Sequence, residues 1–169
     1  MSFKTLFAGA LLAALLPLTA AAGATTVPAP YARAASPVAM SGAAFMEITN
    51  TGDAPDRLVA ARSDRAQRVE LHTHMDMGDG VMKMMEVAEG WEIAPGETLY
   101  LARGGNHVML MGLNGPMQQD ESFAVTLVFE KAGEIVIDVP VDLERQPQMG
   151  GMNHGTMGHG AMNHGQMSN

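Results

Sequence analysis

No cysteine occurs anywhere in the 169 residues. No disulfide can therefore brace a fold, and no thiolate can hold a metal. A blue-copper electron-transfer centre, which requires a Cys ligand, is excluded with it. Positive charge is scarce as well: Lys and Arg number 10 against 18 Asp and Glu, for a formal net charge of -8. Nucleic acid is not an expected partner of such a chain, because phosphate binding relies on clustered Lys and Arg. An anionic surface suits a cationic cargo. No segment carries a sustained helical period with caps, so little helix is expected. No pair of carboxylates is placed for acid–base work, and Ser36, Ser41, Ser63 and Ser122 lie in no nucleophile motif. No catalytic residue is expected, and the chain reads as a binding protein rather than an enzyme.

The N-terminus supplies the longest apolar run. Met1-Ser2-Phe3-Lys4 is followed by an apolar stretch from Leu6 to Leu18 and an Ala22-Gly23-Ala24 exit. A basic start, a short apolar core and an Ala-x-Ala exit describe a cleavable secretory signal peptide over residues 1–24. The run falls short of the roughly 20 residues a comfortable span needs, so no stable membrane insertion is expected after cleavage. The expected destination is the periplasm. Residues 25–147 would then form one domain with one core, since about 120 residues do not sustain two.

Within that domain, residues 25–40 are Ala/Pro-rich and read as extended. From Ser41 the texture becomes that of short strands closed by turns. Ala43–Thr49, Arg57–Ala61, Arg68–His74, Val81–Val87, Thr98–Leu101, His107–Leu113, Phe123–Glu130 and Glu134–Val141 are the expected strands. Asn50-Thr51-Gly52-Asp53, Gly78-Asp79-Gly80, Ala94-Pro95-Gly96 and Lys131-Ala132-Gly133 are the expected turns. Such spacing indicates an all-β antiparallel sandwich or barrel. Asp53, Asp56 and Asp64 fall in turn-like stretches and are expected to be solvated, while Glu70, Glu86 and Glu92 read as outward strand positions.

Methionine, by contrast, is abundant, at 16 residues. Residues i and i+2 of a strand share a face. His107 therefore shares a face with Met109, with Met111 two further on; His72 pairs with His74, and Met82 with Met84. Thioether sulfur is soft and uncharged, and imidazole is borderline. A site made of both, without thiolate or carboxylate, prefers a soft monovalent cation, in biology usually Cu(I). Zinc favours Cys, His or carboxylate, and calcium favours oxygen. Met46, Met111 and Met117 are expected to fill the core.

The tail, residues 148–169, changes composition again. Met152-Asn153-His154-Gly155-Thr156, Met157-Gly158-His159-Gly160-Ala161 and Met162-Asn163-His164-Gly165-Gln166 repeat one five-residue unit, and Met167 follows. Such a tract has nothing from which to build a core and is expected to be disordered. Met152, Met157, Met162 and Met167 suit Cu(I), and His154, His159 and His164 suit Cu(II), so the tail is expected to take copper in either state.

Several words of the domain are shared with a known family. Tyr31-Ala32-Arg33-Ala34, Gly42-Ala43-Ala44-Phe45-Met46, Ile48-Thr49-Asn50-Thr51-Gly52, Val69-Glu70-Leu71-His72, Gly80-Val81-Met82-Lys83-Met84 and Gly104-Gly105-Asn106-His107-Val108-Met109-Leu110-Met111-Gly112-Leu113 together resemble the periplasmic copper chaperones called PCuAC, the DUF461 family. The resemblance covers about residues 27–142. It implies a cupredoxin-like, Ig-like β-sandwich holding one Cu(I) through His72, Met84, His107 and Met109. The intervals from His72 to Met84 and from Met84 to His107 are each one residue longer than the family spacing, which taken strictly selects His74 and Met85 instead. The local words favour His72 and Met84, because turns around Gly78 and Gly90 absorb single insertions. The resemblance further implies a chaperone that delivers copper to the cytochrome c oxidase subunit carrying the binuclear copper centre, alongside Sco-type assembly proteins; the chain is expected to be a monomer. A copper buffer without directed delivery is the alternative.

Overall fold

The computed structural model describes residues 25–36 and 38–146. The signal-like segment 1–24 and the Met/His repeats of the tail lie outside the described residues. Among the described residues there are eleven strands and no helix. They run β1 (Thr25–Thr26), β2 (Tyr31–Ala34), β3 (Ser41–Asn50), β4 (Asp56–Arg62), β5 (Ala66–Asp76), β6 (Met82–Glu86), β7 (Trp91–Ile93), β8 (Thr98–Leu101), β9 (His107–Leu113), β10 (Ser122–Phe129) and β11 (Gly133–Pro140). One sheet is ordered β1-β3-β9-β5-β6, with β2 and β8 also on β3; the other is β11-β10-β4-β7. All of these ladders are antiparallel.

Period-two alternation decides which way each strand faces. On β10, Val125, Leu127 and Phe129 point into the core. On β3 the even positions Ala44, Met46 and Ile48 do so, and on β9 Val108 and Leu110. Leu58, Ile93, Val139 and Val141 close the same core from the second sheet and the segment after it. Met46 and Met117 are core filler, as the composition suggests. Burying a Leu, Ile or Met side chain contributes about 1.5–3 kcal/mol, which is how a chain without disulfides holds two sheets together.

The structure departs from the sequence reading at several places. The stretch read only as extended contains β1 and β2, and β2 pairs with β3 from Tyr31↔Phe45 to Ala34↔Gly42. Small residues with no alternation gave it no strand signature. The short strand β7 went unread because Trp91–Ile93 is too brief to show a period. Met111 is half-exposed rather than core filler, since it sits on the odd face of β9, where its Sδ accepts from Arg68 Nη2 at 3.4 Å. Asp56 is buried rather than solvated. Its carboxylate accepts N–H bonds from Arg57 (2.7 Å), Lys131 (2.9 Å) and Ala132 (2.9 Å).

Candidate metal centre

The site lies on the face of the first sheet turned away from the core. Register places it there. His72 is opposite His107 in the β5–β9 ladder, and His74 is opposite Met84 in the β5–β6 ladder. Met109 is opposite Glu70 on one side and Ala43 on the other. Directly opposed residues share a face, so β5, β6 and β9 present His72, His74, Met84, His107 and Met109 together. The neighbouring positions on β3 are small, Ser41 and Ala43, and leave a cavity of about 300 Å³ lined by His74, Met84, His107 and Met109. Met85, by contrast, opposes Thr73 and belongs to the other face of the hairpin.

His107 is the deepest of these residues and is buried. Its Nδ1–H donates to the Gly105 carbonyl at 3.0 Å, so Nε2 of the neutral ring keeps a free lone pair. Burial pushes its pKa below the usual histidine value, and the nearby His74 and His72 push the same way, against the Gly105 hydrogen bond. A neutral imidazole is the form that binds a metal. Phe45 backs the ring with centroids 6.2 Å apart, and Tyr31 in turn backs Phe45 at 5.1 Å.

Two imidazoles on β5 accompany it. The His74 ring lies 5.2 Å from that of His107, and its Nδ1 also approaches the Gly105 carbonyl, at 3.4 Å. The His72 ring meets His107 edge-on at 5.9 Å and does not line the cavity. A carboxylate only accepts, so His72 Nε2–H donates to Glu70 Oε2 at 2.8 Å. Its Nδ1 is then a buried acceptor with no partner. Glu70 is fixed in turn by Arg68 Nε at 3.0 Å. A ring held by a carboxylate at one nitrogen and left open at the other is how metal-binding histidines are commonly oriented. Glu70 does point outward from the sheet, and there it braces His72. The same i, i+2 spacing that joins His72 to His74 could have found it.

No carboxylate lines the cavity, whereas Arg33 and Arg103 edge it. Among the described residues, no three His, Asp, Glu or Cys side chains are grouped to hold a metal ion. Any cation held here depends on thioether sulfur to complete its shell. Neutral donors beside two guanidinium groups penalise a divalent ion more than a monovalent one, since repulsion scales with charge. The arrangement suits a soft, singly charged ion. His72, Met84, His107 and Met109, expected from the sequence words, are brought onto one sheet face, with His74 nearer the cavity than His72. The tail residues Met152, His154, Met157, His159, Met162, His164 and Met167 lie outside the described residues.

Residues 25–141 match the family model described as "Putative lipoprotein LpqE-like". A curated relative, "Putative lipoprotein Lxx21020" of Leifsonia xyli subsp. xyli, is 38% identical over 99 residues, 59% of this chain and 59% of the relative. The match thus spans about three-fifths of that relative's length. Among solved structures, the "Copper-bound PCuAC domain from PmoF2" is similar with a TM-score of 0.59 at 27% identity, over 72% of this chain and 94% of that one. The "Apo PCuAC domain from PmoF1" gives 0.58 at 29% identity, over 72% and 95%. The Cu(I)-bound solution structure of DR1885 from Deinococcus radiodurans gives 0.51 at 32% identity, over 73% and 83%. The sandwich is accordingly cupredoxin-like, with the fold of PCuAC domains, and the chain belongs to the LpqE-like family.

Proposed function

We propose that this protein is an exported copper chaperone that binds Cu(I) at Met84, His107, Met109 and one imidazole of β5. The observation that carries the reading is the convergence of two thioethers and a buried, neutral His107 on one cavity with no carboxylate. Copper here is cargo. The thioethers carry no proton to lose when it binds, so release needs only exchange with a competing ligand. His72 and His74 are alternatives for the fourth place. His72 brings an oriented ring with an unpartnered Nδ1, and His74 lines the cavity. The copper-bound relatives support the class of cargo.

The finer reading is that the domain, residues 25–147, delivers Cu(I) in the periplasm, as a monomer, to the binuclear copper centre of cytochrome c oxidase, with Sco-type proteins as co-workers. Residues 1–24 would be its cleaved signal. The relatives' lipoprotein names do not extend to thiol acylation within these residues, which contain no cysteine. The tail would take further copper, as Cu(I) on methionine and Cu(II) on histidine. Its repeats also favour the second reading, a copper buffer that stores without directed handover.

An anaerobic Cu(I) titration of the full chain against a chromophoric chelator tests the site. The wild type is expected to hold one tight equivalent that is absent from the His107→Ala/Met109→Ala chain. His72→Ala or His74→Ala alone is expected to keep that equivalent with weakened affinity, and the two together to lose it. An unchanged titration in the His107→Ala/Met109→Ala chain would sink the domain site and leave copper to the tail.

A further inference from the structure

The hairpin of β5 and β6 carries thioethers that the four-ligand site does not use. Its turn, Gly78-Asp79-Gly80, is built from positive-φ residues, and Met77 N–H donates to the Val81 carbonyl at 2.8 Å to close it. Beyond that turn, β6 is the outer strand of its sheet, and none of its residues is buried. Exposed methionine is unusual, because the side chain is apolar and normally fills cores. Here Met82 is 54% exposed and Met84 is 42% exposed. Core packing does not account for either.

Register turns this exposure into an ordered path. Met82 is opposite Asp76, and Met84, two residues on and on the same face, is opposite His74. His72, on that face again, is opposite His107, which is 2% exposed. Soft donors therefore descend along one sheet face from solvent at Met82, through Met84, to the buried imidazole. Successive same-face residues on a strand lie about 7 Å apart, a gap that two long thioether side chains can close around one ion.

We propose that Met82 is the intake ligand for Cu(I): it captures the ion from solvent or from a donor, shares it with Met84, and passes it to the domain site. The relay rests on the copper reading above. Each transfer forms one copper–ligand bond as another breaks. The Cu–S bond to Met82 is exchanged for a bond to His107 Nε2 or Met109 Sδ, while Met84 stays bound. The ion remains Cu(I), and no proton or electron moves. Asp76, across from Met82, places a carboxylate beside the outer step. Its charge attracts the cation at the point of capture.

The test uses the full chain and Cu(I) supplied as its chromophoric chelator complex, followed by stopped flow under anaerobic conditions. The phase present in wild type and absent from the His107→Ala/Met109→Ala chain reports the domain site alone, so tail binding does not enter. Met82→Leu removes the sulfur and keeps the volume. It is expected to slow that phase by about tenfold and to leave the equilibrium affinity unchanged. Met75→Leu, on the other face of the same hairpin, is expected to change neither. A Met82→Leu chain that loads at the wild-type rate overturns the relay. One that loses affinity in step with rate makes Met82 a ligand of the resting site and also overturns it. If wild type and the double variant give the same trace, no domain site exists, and the proposed function falls together with the relay.

Discussion

Asp56 shows how much one side chain can hold in a fold without disulfides. Burial alone would raise its pKa, but N–H bonds from Ala132, Lys131 and Arg57, with the Lys131 ammonium nearby, outweigh burial and hold it below the ordinary 3.8. The carboxylate ties the start of β4 to the turn between β10 and β11. A folded-state pKa that is depressed means the unfolded chain takes the proton first. The contribution is therefore fully present above 3.8 and is lost as the pH falls from there through the folded value. Asp56→Ala strands those N–H groups and is expected to cost about 2–3 kcal/mol near neutral pH. The gap between the urea midpoints of the two chains should be largest near neutrality and narrow as the pH falls below 3.8.

At the scale of elements, the pairing of β7 with β4 in the second sheet depends on close backbone approach. Gly90 has φ of +68°, and a Cβ built there would collide with the Leu58 carbonyl oxygen. That contact lets β7 lie on β4 with Leu58 opposite Trp91. Gly90→Ala combines a disfavoured backbone with a backbone clash and is expected to cost about 3 kcal/mol or more. Thermal melting of the apo chain would register it, while Cu(I) affinity measured well below the melt should stay unchanged, because β7 contributes nothing to the cavity. Asn50, at the end of β3, ties the first sheet to β7 of the second. Read from sequence as a turn residue, it is buried, with Nδ2 donating to the carbonyls of Ala54 (2.8 Å) and Ile93 (2.9 Å) and Oδ1 accepting from Gly52 N–H (3.0 Å).

For the molecule as a whole, legibility followed the strength of the alternation. Strands β8 and β9 run over the expected residues, and β4, β5, β10 and β11 differ from expectation by at most a few positions at their ends. Their turns are marked by Gly, Pro, Asn and Asp, and their apolar residues recur at period two. The face shared by His72 and His74, by Met82 and Met84, and by His107 and Met109 followed from the same rule. What the sequence did not reveal depends on contacts between segments distant in the chain. The burial of Asp56 needs Lys131 and Ala132, and the exposure of Met111 needs the sheet face to be known. The small wall made by Ser41 and Ala43 means nothing until β3 lies beside β9. One residue of extra length between His72 and Met84 does not by itself say which imidazole enters the cavity, because the β5–β6 register sets that.

The exposed thioethers of the β5–β6 hairpin also have a consequence for aging of the protein under oxidising conditions. Methionine sulfoxide replaces a soft sulfur donor with a polar oxygen. Met82, at 54% exposure, meets an oxidant before any donor next to buried His107 does. Damage should therefore begin at the rim: under the proposed relay, a lightly oxidised chain would keep copper at the inner site while losing the ability to reload, and methionine sulfoxide reductase would restore uptake without refolding the domain.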